Sequence, residues 1–70
     1  MSYEDYKTVL YRQDDGSWVA EIPAIPGCYA LMPSREESLA ELAKVFALIA
    51  DEYREKGKSL PADTTEIMNA

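Results

Sequence analysis

The 70-residue sequence has no histidine, a single cysteine and three glycines, and only 7 basic side chains stand against 13 acidic ones. Each shortage removes a class of function. Without histidine the chain lacks the commonest general base and the commonest metal ligand together. One cysteine excludes an internal disulfide framework. The formal charge of -6 repels phosphate backbones instead of releasing counterions from them, which disfavours direct nucleic-acid binding. No apolar run reaches the length of a membrane span, and the first residues carry neither a basic n-region nor an apolar h-region. The expectation is a cytoplasmic chain with no membrane segment.

A chain this short makes one domain, spanning 1–70, and buries only about 60% of the surface its unfolded form would expose. Such a globule is marginal alone. With no disulfide to staple it, a homo-oligomer, dimer or higher, or a partner chain is expected to supply the missing burial. The acidic balance would speed encounter with a partner that is basic.

Two β-like runs flank an Asp-Gly pair. Residues 5–13 are rich in β-branched and aromatic side chains, and residues 18–22 alternate, with Trp18, Ala20 and Ile22 on one face and Val19 and Glu21 on the other. Asp14-Asp15-Gly16 between them is a strong hairpin signal. Both faces of that hairpin carry large apolar groups, so one helix cannot cover everything. Pro23 and Pro26 fix φ and lack an N–H, ending the second strand, and Gly27 permits a tight return. A third strand, 28–32, begins at Cys28. It is almost wholly apolar, as a strand buried on both faces would be, and so is expected at the centre of the sheet or under cover.

After Pro33, Ser34 and Glu37 have the spacing of a capping box: the serine hydroxyl accepts from the Glu37 N–H while the Glu37 carboxylate reaches the Ser34 N–H. From there a helix over 34–57 presents Leu39, Leu42, Ala43, Phe46, Ile49, Ala50 and Tyr53 as one stripe toward the sheet. Glu37, Glu41, Lys44, Glu52 and Glu55 fall opposite, with Leu48 in their midst and Val45 at their edge. Leu48 is either a lone exposed leucine or a contact with a partner or a second copy. Gly57 between two lysines suits the helix end. Beyond it, residues 64–68 are either a short fourth strand or a frayed tail, with the partial strand favoured. The fold class expected is α+β, a small antiparallel three- or four-stranded sheet packed on one long helix.

Nothing here reads as an enzyme. Asp14, Asp15 and Glu21 are too few to build an acid/base or metal site, and the two aspartates suit the turn. Cys28 has no base to activate it, and Ser34 is a cap with no group to take its proton. No catalytic, cofactor or metal residue is assigned.

The stretch from Pro23 to Leu39, P-A-I-P-G-C-Y-A-L-M-P-S-R-E-E-S-L, resembles the HicB-like antitoxin family, whose pattern runs roughly Pro-x-hydrophobic-Pro-Gly-Cys and then Thr-x-x-Glu-Ala-hydrophobic. Pro23, Pro26, Gly27 and Cys28 match it directly, Ser34 stands at the threonine, and Glu36, Glu37 and Leu39 fall on the helix-opening positions. The resemblance extends over about 6–61. It implies a β-β-β-α-β domain related to a reduced ribonuclease H fold without that enzyme's carboxylates, usually oligomeric, that masks a small basic ribonuclease toxin of a type II toxin-antitoxin system. Two departures stand out. Ala30-Leu31-Met32-Pro33 is apolar where the family often has a polar linker, and no helix-turn-helix or ribbon-helix-helix pattern follows the helix, so direct DNA binding is not expected.

Partner contact is assigned to two acidic surfaces, Asp14 and Asp15 at the hairpin tip, and Glu37, Glu41 and Glu52 around Leu48. The alternatives are a solo oligomeric structural or ligand-binding domain and, against the charge, a degenerate RNA-binding domain.

Overall fold

A computed structural model describes residues 2–68 of the chain. It is α+β, a three-stranded antiparallel sheet followed by one long helix in the order β-β-β-α. A short 3-10 helix, Tyr3–Asp5, precedes β1 (Val9–Arg12), β2 (Trp18–Glu21), β3 (Tyr29–Met32) and α1 (Arg35–Glu55). The sheet order is β1-β2-β3, so β2 is central. The expectation that the third strand is central or covered holds for one face only: β3 is an edge, α1 covers its Ala30 face, and its other face leaves Tyr29 and Leu31 exposed.

The hairpin forms as its Asp-Gly signal requires. The Gly16 N–H bonds Gln13 O at 3.0 Å and the Gln13 N–H bonds Ser17 O at 2.8 Å, with Gly16 at φ 91°. Only glycine holds such a φ at little cost. The resulting register sets Leu10 against Ala20 and Tyr11 against Val19.

The Pro23–Gly27 corner is two turns in series. The Ile25 N–H reaches Ile22 O at 3.2 Å and the Cys28 N–H reaches Ile25 O at 3.1 Å. Each turn carries proline at its second position, and Gly27, third in the second turn, sits at φ 78°, the pattern of a type II turn. Ile25, shared by both turns, is buried in the core and anchors the corner. The Ile22 N–H then meets Cys28 O at 2.9 Å and the chain returns as β3.

α1 starts where the cap predicts. Ser34 is extended and its Oγ accepts from the Glu37 N–H at 3.2 Å, while the Glu37 carboxylate accepts from the Ser34 hydroxyl at 3.1 Å and not from its backbone. The helix ends in a Schellman arrangement, with the Lys58 N–H on Tyr53 O at 2.8 Å, the Gly57 N–H on Arg54 O at 3.1 Å and Gly57 at φ 68°.

α1 lies over β3 and β2. Tyr6, Ala20, Ile22, Ile25, Cys28, Ala30, Leu42 and Phe46 form the core, with Leu39, Val45, Ile49 and Ala50 packed against it. Tyr3 and Tyr6 hold the Phe46 ring at centroid distances of 5.5 and 5.7 Å. Ala43, expected in the buried stripe, is exposed, and Ser38 is fully buried in its place, its hydroxyl bonded to Arg35 O at 2.7 Å.

Two further expectations change. The first strand does not span 5–13, because the backbone before Val9 is committed to the 3-10 turn and to the C-terminal segment. Residues 64–68 form no strand: the Asp63 carboxylate takes the Lys7 N–H at 2.6 Å and the Thr65 N–H at 2.9 Å, so the segment is held by a side chain and no ladder forms. The Tyr6 hydroxyl donates to Pro61 O at 2.5 Å, completing a strap that ties the segment after α1 to the start of the chain.

Candidate functional site

The two acidic surfaces differ once placed. At the hairpin tip, Asp15 is a structural member of its turn. Its Oδ1 accepts from the Ser17 hydroxyl at 2.6 Å and the Ser17 N–H at 2.9 Å, and these bonds lower its pKa, the hydroxyl contributing most. Asp14 is exposed beside it and takes no part in those bonds. One unengaged carboxylate makes a small acidic feature.

The outer face of α1 carries more. Leu48 is 66% exposed, the most exposed large apolar side chain of the helix. Along the helix, Glu52 lies one turn after it, Lys44 one turn before it and Glu41 two turns before it. Glu41 is half-buried and Glu52 exposed, and neither forms an ion pair among the described residues. Asp51, also adjacent, is paired to Arg54. Glu37 lies farther up the helix with its carboxylate in the cap. The structure therefore joins Glu41, Leu48 and Glu52 on one face and leaves Asp14 and Asp15 apart at the sheet end.

Among the described residues no three His, Cys, Asp or Glu side chains converge to hold a metal. The Cys28 thiol is buried in the core, and burial raises its pKa, which keeps it protonated and unreactive. Among the described residues no helix is long and apolar enough to cross a membrane.

A third surface was only half legible in the sequence. The register places Tyr29 and Leu31 with Tyr11 and Val19 on the sheet face away from α1. Tyr11, Tyr29 and Leu31 are 45%, 60% and 53% exposed, while Val19 at their centre is buried by its neighbours. Val9 and Glu21 complete the face, and Glu21 is its one ionisable carboxylate. The signal for it was the alternation of Tyr29 and Leu31 with Ala30 and Met32.

Among known proteins, the chain is 38% identical over 63 residues to a UPF0150 protein of Synechocystis, covering 90% of this chain and 86% of that one. The chain belongs to the UPF0150 family. A second UPF0150 protein, from Thermoplasma acidophilum, is 23% identical over 61 residues, covering 87% of this chain and 88% of its own length. No model of a known protein family matches the chain, and no solved structure matches it significantly. Neither UPF0150 relative carries an enzyme name.

Proposed function

We propose that this UPF0150 chain is a non-catalytic protein-binding module of the HicB-like antitoxin kind, which masks a small basic ribonuclease by covering its RNA-binding surface. The observation that carries the reading is the outer face of α1, where exposed Leu48 stands between the unpaired carboxylates of Glu41 and Glu52. An apolar anchor with an acidic rim suits a partner whose surface evolved to hold phosphate. The hairpin tip ranks second as a contact, because Asp15 is already engaged in its turn. The Pro23–Cys28 corner and the Ser34 cap, which carry the family resemblance, build the frame and do not touch the partner.

The test asks first whether a small basic protein with a double-stranded-RNA-binding-domain-like pattern is encoded beside this chain, and then measures its association kinetics with the purified chain. Glu41→Lys with Glu52→Lys should slow association by about tenfold or more at low salt, and the parent rate should fall as salt rises, because rim charges act on encounter and are screened over about 10 Å at 0.1 M. Asp14→Lys with Asp15→Lys should have a smaller effect. Unchanged rates for both pairs would remove electrostatic masking. A solo oligomeric domain is the second reading, favoured by the bare aromatic face of the sheet.

A further inference from the structure

The strap, residues 59–65, is seated on the rest of the chain without a ladder. Among the described residues no backbone-to-backbone bond ties it to the sheet or to α1; the last such bond is the Lys58 N–H on Tyr53 O. What holds it is the Tyr6 hydroxyl on Pro61 O at 2.5 Å and the Asp63 carboxylate, which takes the Lys7 N–H at 2.6 Å and lies 4.0 Å from the Lys7 ammonium. Leu60 packs against the core cluster that contains Tyr6 and Phe46, whereas Ile67 and Met68, beyond the strap, are exposed. Toward α1 the strap stands off, and an open groove whose lining includes Ala50, Tyr53, Ser59 and Leu60 runs beside it.

The chain enters the strap through Gly57 at φ 68°, where an added Cβ would meet no atom within 4 Å. A joint in open space absorbs a change of backbone direction without disturbing packed neighbours. At the far end a single carboxylate is the fastening, and its further bond, from the Thr65 N–H at 2.9 Å, orders only the strap itself. Hinge, cover and latch follow one another along the chain. The contacts are also those by which a surface recognises an extended peptide: a seat for the Leu60 side chain, a phenol for the next carbonyl, and an amide with an ammonium for a carboxylate at Asp63. Pro61 has no N–H to leave unpaired, and its fixed φ lowers the cost of ordering the segment.

We propose that the strap is a hinged lid that fills, in cis, a peptide-binding groove built from Tyr6, the Lys7 backbone and the core cluster behind them. The groove takes from a partner protein an extended segment of the same chemistry, a large apolar residue followed three positions on by a carboxylate. The strap itself is the template for that partner, because it shows which side chain is seated and which charge is received. One backbone N–H and one ammonium suffice for one carboxylate, and the strap brings one. In the parent chain the tethered segment competes at a high effective concentration, so an isolated peptide binds poorly. A partner that carries such a segment and also binds elsewhere on the chain displaces the lid.

The probe is a synthetic peptide with the sequence of residues 59–65, Ser-Leu-Pro-Ala-Asp-Thr-Thr, titrated into the isotope-labelled full chain and followed by nuclear magnetic resonance. Asp63→Ala removes the latch, so the Tyr6 and Lys7 signals should move while that of Ile22, whose N–H is held by Cys28 O, stays in place. Added peptide should return the Tyr6 and Lys7 signals toward their parent positions and saturate. The parent should need about tenfold more peptide or greater, and so should Asp63→Ala when the peptide carries asparagine in place of its aspartate. Asp63→Asn, a milder loss of the latch, should give the same pattern at smaller amplitude. Circular dichroism should show the sheet and α1 intact in both variants; if both lose their fold, the strap is part of the core and not a lid, and the proposal falls. A peptide that fails to restore the signals also overturns it. Equal binding of the asparagine peptide does so too, because that result marks apolar adsorption without recognition of the carboxylate. These variants leave Glu41, Leu48 and Glu52 untouched, so the outcome is independent of the masking reading.

Discussion

On the side of the sheet facing α1 the middle row is Leu10, Ala20 and Ala30, whereas on the other side Tyr11, Val19 and Leu31 stand in the adjacent row. The covered face has small residues at its centre, and the large groups above it, Leu42 and Phe46, come from the helix. The bare face keeps its large groups on the strands and leaves them in water. The covered face holds most of the buried core, whereas Val19 is the buried side chain of the bare face among the described residues. Burial contributes about 25 cal/mol for each Å² of apolar surface removed from water, a gain that side chains half in solvent realise only in part. The bulk on the bare face is therefore available to association.

Substitutions should separate the two faces by size of effect. Leu42→Ala, at a fully buried position under the sheet, should destabilise by about 2 to 5 kcal/mol in chemical denaturation, through lost burial and the cavity left behind. Gly27→Val should cost about 1 to 3 kcal/mol, and the cause is backbone strain at φ 78°, because a Cβ there meets no atom within 4 Å. A thermal melt showing Gly27→Val equal to the parent would contradict that cause. Ser34→Ala should cost about 1 kcal/mol through the lost cap, with the loss confined to the first turn of α1.

Acid should act on the strap. The Asp63 pKa is lowered, first by the Lys7 N–H and then by Thr65, so its contribution is present above the ordinary carboxylate pKa and is lost as pH falls through the depressed value. A melting midpoint followed downward from pH 5 should show this loss in the parent, and Asp63→Asn should flatten the dependence. Tyr11→Thr should change monomer stability least, by under about 0.5 kcal/mol. A larger effect there would show that the bare face contributes to folding after all.

How far the sequence could be read depended on the range of the interactions involved. The Asp-Gly hairpin, the double-proline corner, the Ser34 cap and the Gly57 stop are local, and each formed where its residues said it would. The errors came from pairing decisions between distant segments. Continuous apolar character in 28–32 looked like burial on both faces, yet an edge strand covered on one face reads the same way. Residues 64–68 have strand composition, but Asp63 had already engaged the Lys7 N–H, and nothing local foretells a bond across 56 positions. Ser38 went unnoticed because a polar residue that bonds its own helix behaves as a small core residue. For the acidic surfaces, helical spacing sufficed to gather Glu41, Leu48 and Glu52, whereas the engagement of Asp15 required the folded turn.

The strap also has a kinetic meaning. Its bonds from Tyr6 and Lys7 to Pro61 and Asp63 close nearly the whole chain into a loop, so they can form only after the hairpin and α1 have brought those segments together. The same contacts are then the ones to open without disturbing the sheet ladder. The Lys7 amide, protected solely by the Asp63 side chain, becomes a built-in reporter: its hydrogen exchange measures undocking of the segment after α1 separately from global unfolding, and at low pH the two should diverge.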